Sequence, residues 1–129
     1  QLTEAFEDLA QLYRELDEAE GWLVKMSIVA ALGEMGDPRA FELLNEAAAS
    51  ENIPIKTGAI GSLGELGDPR AIPILIDLAT HEDWQVRYRV AQAVSHFDDP
   101  NARSTLDQLA LDSETQVAQL AQLLIQPQS

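Results

Sequence analysis

Val24-Lys25, followed by Ala31-Leu32-Gly33-Glu34-Met35-Gly36-Asp37-Pro38-Arg39-Ala40, returns as Ile55-Lys56 and Ser62-Leu63-Gly64-Glu65-Leu66-Gly67-Asp68-Pro69-Arg70-Ala71, 31 positions further on. The same shift leads to a third copy, Val86-Arg87 and Ala93-Val94-Ser95-His96-Phe97-Asp98-Asp99-Pro100-Asn101-Ala102, with no insertion. A fourth opens at Thr115-Gln116-Val117 and stops after the length of one helix. A period of this size marks an array whose units stack on their neighbours to bury a shared core.

Each unit reads as two helices. Val24, Ile28, Ala31, Leu32 and Met35 recur at helical spacing, and so do Ala40, Leu43, Leu44 and Ala47. Between them, Gly36 and Gly67 can take the left-handed conformation that closes a helix. Asp37 and Asp68 can accept the free amides of the next helix, and Pro38 and Pro69 suit its first turn. Asp99-Pro100 repeats the signal, but Asp98 replaces the glycine, so that turn must close by another geometry or carry strain.

The expected fold is all-α, an α-α superhelix of about eight helices in 31-residue repeats, near 2–19, 22–35, 38–50, 53–66, 69–80, 84–97, 100–111 and 115–125. Repeats span 22–52, 53–83 and 84–114 within one domain over 1–129, flanked by half-repeat helices 2–19 and 115–125. Projecting the 31-residue register backwards puts Leu9, Leu12, Tyr13 and Leu16 in the columns of Ala40, Leu43, Leu44 and Ala47. The half-repeat ends read either as natural caps or as the cut ends of a longer array, with the opening Gln1 favouring trimming or processing, and Gln126-Pro127-Gln128-Ser129 reads as a frayed tail.

Composition narrows the function. With 46% hydrophobic residues the chain is a folding one, and without cysteine it has no disulfide, thiolate metal site or thiol nucleophile. Eight Lys and Arg against 22 Asp and Glu leave a net charge of −14, which repels phosphate backbones and anionic membranes; no nucleic-acid partner is expected. The absence of a membrane-length apolar run or signal peptide gives the expectation of a cytoplasmic protein with no membrane insertion. His81 and His96 lack the spacing of a metal pair, and no G-x-S-x-G elbow presents a serine. No catalytic residue, metal ligand or cofactor is assigned.

The pattern V-[KR]-x6-L-G-x-[LM]-G-D-P-R-A over 22–125 resembles a HEAT repeat, in the short form grouped as phycobilisome-lyase-type HEAT-like repeats. The resemblance implies a right-handed superhelix with first helices convex and second helices lining the concave side. It also implies that Lys25, Lys56 and Arg87, one column, reach the turn aspartates Asp37, Asp68 and Asp99 of neighbouring units.

The expected function is a non-enzymatic scaffold that binds a protein partner along an acidic concave face. Arg14, Glu15, Glu42, Asn45, Glu46, Pro73, Ile76, Asp77, Thr80, Asp107 and Gln108 would line it and receive a basic or amphipathic segment. Trp22 and Trp84 open equivalent first helices as core-edge packing residues or partner anchors. Two alternatives come with the resemblance: a bilin lyase subunit or phycobilisome-degradation factor acting on a phycobiliprotein, with bilin as its ligand, and a fragment of a larger regulatory repeat protein.

Overall fold

A computed structural model describes residues 2–125; Gln1 and the expected tail 126–129 lie outside the described residues. Within them the chain forms α1 (Leu2–Glu15), α2 (Glu18–Met35), α3 (Ala40–Ala48), α4 (Ile53–Leu66), α5 (Ala71–Leu78), α6 (Trp84–Val94), α7 (Pro100–Leu109) and α8 (Thr115–Ile125). The described residues are all-α, eight helices in which α2, α4, α6 and α8 alternate with α1, α3, α5 and α7.

The turn chemistry follows the residues. Gly36 and Gly67 are left-handed, with φ of 67° and 72°, and no other described residue has positive φ. Asp37 Oδ1 accepts from Arg39 N and Asp68 Oδ1 from Arg70 N, both at 2.9 Å. Ala40 N and Phe41 N then donate three residues back to Asp37 and Pro38, so Pro38-Arg39 and Pro69-Arg70 form a tight entry turn. This is why α3 and α5 begin at Ala40 and Ala71, later than expected. Asp99 caps α7 directly, accepting from Asn101 N and Ala102 N. At Asp98 the fold avoids a left-handed residue by ending α6 early: His96 N and Phe97 N close short turns onto Ala93 and Val94.

The first helix departs from the expected 2–19. It stops at Glu15, and Asp17 caps a new turn by accepting from Glu20 N at 3.2 Å; that turn runs through a non-helical Gly21 (φ −104°, ψ 16°) into the rest of α2. This extra turn shifts α1 by four residues. Arg70 lies over the Phe41 ring and reaches Glu42, and Arg39 lies over Phe6 and reaches Glu7, an offset of 35 and not 31. Leu12, projected onto a core column, is 42% exposed, while Ala10 and Tyr13 are buried. Val24 is likewise exposed, although Ile55, Val86 and Val117 in its column are fully buried.

The helices make two layers around one core that runs from Tyr13 to Ala121. The first helices α2, α4, α6 and α8 pack closely side by side, whereas α3, α5 and α7 touch one another sparsely. Missing side chains permit the close approach. A Cβ on Gly33 would lie 2.6 Å from Ser62 Cβ, and one on Gly64 would lie 2.9 Å from Ala93 Cα. Ser62 Oγ also donates to the Val29 carbonyl across this contact, at 2.9 Å.

The tightly packed layer of first helices is called the inner side, and the splayed layer of second helices, which carries the residues assigned to a concave face, the outer side.

The close approach sets an expectation for stability. Gly33→Ala and Gly64→Ala each overpack a helix contact and cost about 1–3 kcal/mol. Gly58→Ala, whose new Cβ meets only Met26 Cγ and Val29 Cγ1 at 3.8 Å, gains up to about 1 kcal/mol from helix propensity. Urea denaturation midpoints of the three variants check this; equal shifts would contradict it.

Candidate interaction surfaces

The outer surface carries the acidic row. Arg14 and Glu15 on α1, Glu42 and Glu46 on α3, Pro73, Asp77 and Thr80 near α5, and Asp107 and Gln108 on α7 are exposed, with Asn45 and Ile76 half-buried. The structure gathers Asn45, Pro73 and Asp77 around a groove of about 420 Å³ between α3 and α5, with Lys56 at its floor. Arg14 and Glu15 stand at one end of the row and Asp107 and Gln108 at the other. Glu42 is partly engaged already, 3.7 Å from Arg70.

Arg39 and Arg70 bind the turn aspartates. Each guanidinium chelates its own Asp37 or Asp68, with closest contacts of 2.5 and 2.7 Å, and holds that carboxyl below the usual carboxylate range. The same arginines stack on Phe6 and Phe41 of the preceding second helix, at 4.6 and 4.2 Å to the ring centroids. In the next repeat Asn101, Ile72 and Pro73 occupy the three positions, and the ladder stops.

Because those aspartates are taken, the basic column goes elsewhere, contrary to the expectation. Lys25 Nζ sits over the Tyr13 ring at 4.5 Å, and Lys56 Nζ donates to the Ala48 carbonyl at 2.6 Å, closing the last turn of α3. Burial pushes the Lys56 ammonium below its ordinary value. Arg87 donates to Asp112 through Nε (2.8 Å) and Nη2 (3.0 Å), and through Nη1 to the carbonyls of His81 and Glu82. Asp112 belongs to the α7–α8 turn, 31 residues beyond His81, so only the third repeat pairs this column with a carboxylate. His81 Nδ1 accepts from Asp83 N at 3.0 Å, as a turn residue does. Among the described residues no three acidic or imidazole groups converge on a metal-sized site.

The inner surface is of different character. A groove of about 630 Å³ crosses α2, α4 and α6 between Met26, Ala30, Thr57, Gly58, Gly61 and Arg89. A second, of about 550 Å³, continues from Thr57 and Arg89 past Trp84, Gln85 and Tyr88 to Gln116, Gln119, Leu120 and Leu123 on α8. Trp84 and Tyr88 meet edge to face, with ring centroids 6.3 Å apart. Arg89 borders both grooves, is exposed, and makes no ion pair or side-chain hydrogen bond among the described residues.

Reading the sequence for charge on the second helices passes over this face. A signal for it exists: Arg89 occupies the column of Ser27, Gly58 and Leu120, a lone cation among small and apolar residues.

Closely packed first helices, splayed second helices and an aspartate-proline turn within each pair, preceded by glycine in the first two, define a helical-repeat solenoid. The chain belongs to the HEAT repeat family: residues 43–125 match HEAT repeats, and residues 24–50 match the PBS lyase HEAT-like repeat. No curated protein matches the chain. None of the described helices is long and apolar enough to cross a membrane.

The Arg87–Asp112 pair has a measurable role in stability. Its side chains are only 15% and 9% exposed, and removing the carboxylate in Asp112→Ala should cost about 1–3 kcal/mol. The pair also gives a pH signature. The Arg87 guanidinium holds Asp112 below its unfolded value, so the stabilisation is fully present above the unfolded pKa and is lost as pH falls through the folded one. The stability gap between wild type and Asp112→Asn should be constant above about pH 5 and shrink below it. A gap that does not change with acid would show that the pair does not carry it.

Proposed function

We propose that this protein is a binding scaffold that receives a protein segment along the inner face of α2, α4, α6 and α8. HEAT-repeat proteins typically bind proteins, and stacked repeats offer extended surfaces for doing so. One observation carries the choice of face: two adjoining grooves together cross all four first helices, with Arg89 bordering both and the half-buried Trp84 and Tyr88 beside it in the second. These are the side-chain types that dominate binding energy at protein interfaces. Trp84 and Tyr88 are partly buried against the core, whereas Arg89 is exposed and makes no ion pair or side-chain hydrogen bond among the described residues.

The second reading keeps the partner on the outer acidic row, where Glu46, Asp77 and Asp107 would attract a basic or amphipathic segment. The net charge of −14 favours it through faster encounter with a cationic partner. A phycobiliprotein partner, suggested by the family name of residues 24–50, is compatible with either face. A bilin held directly is less well supported, because its two propionates would find one cation in the inner groove.

Photo-crosslinking in the source cells separates these readings. A photoreactive residue at Thr57 or Gln85 should trap a discrete partner, while one at Asn45 or Thr80 should not. The reverse pattern would move the site to the acidic row. A trapped species absorbing visible light would identify a bilin-bearing partner, and no trapped species at any of the four positions would refute the scaffold.

A further inference from the structure

We infer that the inner groove selects a peptide segment carrying a carboxylate beside an apolar side chain, with Arg89 as the residue that sets this preference. The inference rests on the inner-face reading and adds the chemistry of the occupant. It starts from an asymmetry: a protein with a net charge of −14 places an exposed arginine without an ion pair, among the described residues, at the meeting point of two grooves.

The setting of Arg89 is specific. Its Nη1 lies over α4 where Gly61 has no side chain; a Cβ there would be 3.0 Å away. The guanidinium thus lies across the neighbouring helix, close to its backbone. A planar fork of this kind binds a carboxylate through two parallel hydrogen bonds, an interaction an ammonium cannot reproduce. On one side Tyr88, Leu120 and Leu123 give an apolar seat. Around it Gln85 and Gln119 offer both donors and acceptors, as a peptide backbone requires.

The acidic groups nearby define the charge of the ligand. Glu65 and Asp83 also border the grooves, and the Asp83 carboxylate is engaged in capping α6 at 2.8 Å from Gln85 N. With Glu65 and Asp83 beside it the groove is net negative apart from the guanidinium itself, so it has one point at which a carboxylate can be paired and it repels a run of phosphates. That favours an isolated aspartate or glutamate in a peptide over a nucleic acid or a phosphorylated tract.

The test is selection from a library of short random displayed peptides on wild type and Arg89→Gln, each first shown to be folded by circular dichroism. Wild type should select an acidic residue next to an apolar or aromatic one, against its own net charge, and Arg89→Gln should lose the acidic preference. A synthetic peptide from the wild-type selection should bind about tenfold more weakly when its acid is replaced by the amide, and that loss should vanish on Arg89→Gln. Peptides selected without an acidic preference, or an acidic preference that survives in Arg89→Gln, would overturn this inference and leave the inner-face scaffold standing. If wild type selects no peptide, or if binding is abolished by Glu46→Lys/Asp77→Lys and not by Tyr88→Ala, both fall.

Discussion

The contact between adjacent first helices, through Gly33 against Ser62 and Gly64 against Ala93, is the constraint on which the remaining geometry depends. A side chain at either glycine would push the helices apart, and the tight row would open. The close approach within this layer is thus set by four small residues, Gly33, Ser62, Gly64 and Ala93. Their placement decides which side chains border the grooves. The buried basic column then ties the layers together, each residue satisfied differently: Lys25 by an aromatic ring, Lys56 by a helix terminus, Arg87 by a carboxylate.

Much of this was legible in the residues. The 31-residue period, the left-handed Gly36 and Gly67, and the cap at Asp99 follow from spacing and local chemistry, and the helices lie close to where these signals put them. The register of α1 was not legible, because the capped turn at Asp17 adds four residues where no earlier copy exists for comparison. Only the matching pairs Arg39–Phe6 and Arg70–Phe41 expose the shift. The difference in packing between the two layers was also hidden. A buried column says that a residue faces the core, but not which of two layers packs more closely. The recurring pairs of small residues held that information.

The partners of the charged residues were the least legible. Asp37 and Asp68 stand in sequence beside both a basic column and the arginines that follow proline, and spacing alone does not choose between them. Geometry does: two residues of tight turn bring Arg39 and Arg70 back onto their own aspartates, leaving Lys25 and Lys56 too deep to compete. Part of the acidic outer row is therefore used in the fold. Glu7 and Glu42 answer the stacked arginines, which weakens the case that every exposed carboxylate there awaits a partner.

The third repeat draws these strands together. It has lost the glycine of its turn and the arginine of the stacking ladder, which makes it the least regular unit. It also holds the one carboxylate-paired member of the basic column, Arg87, and the cluster Trp84, Tyr88 and Arg89 on the inner face. In a stacked array stability comes from each unit and its nearest neighbours, so a single unit can diverge if a local contact replaces what it gives up. The bidentate Arg87–Asp112 pair is such a replacement, joining the start of α6 to the turn before α8. Residues that depart from a repeat while the fold retains its geometry are where function is expected to lie. By that criterion, Arg89 in a column of serine, glycine and leucine is the strongest departure on the inner face.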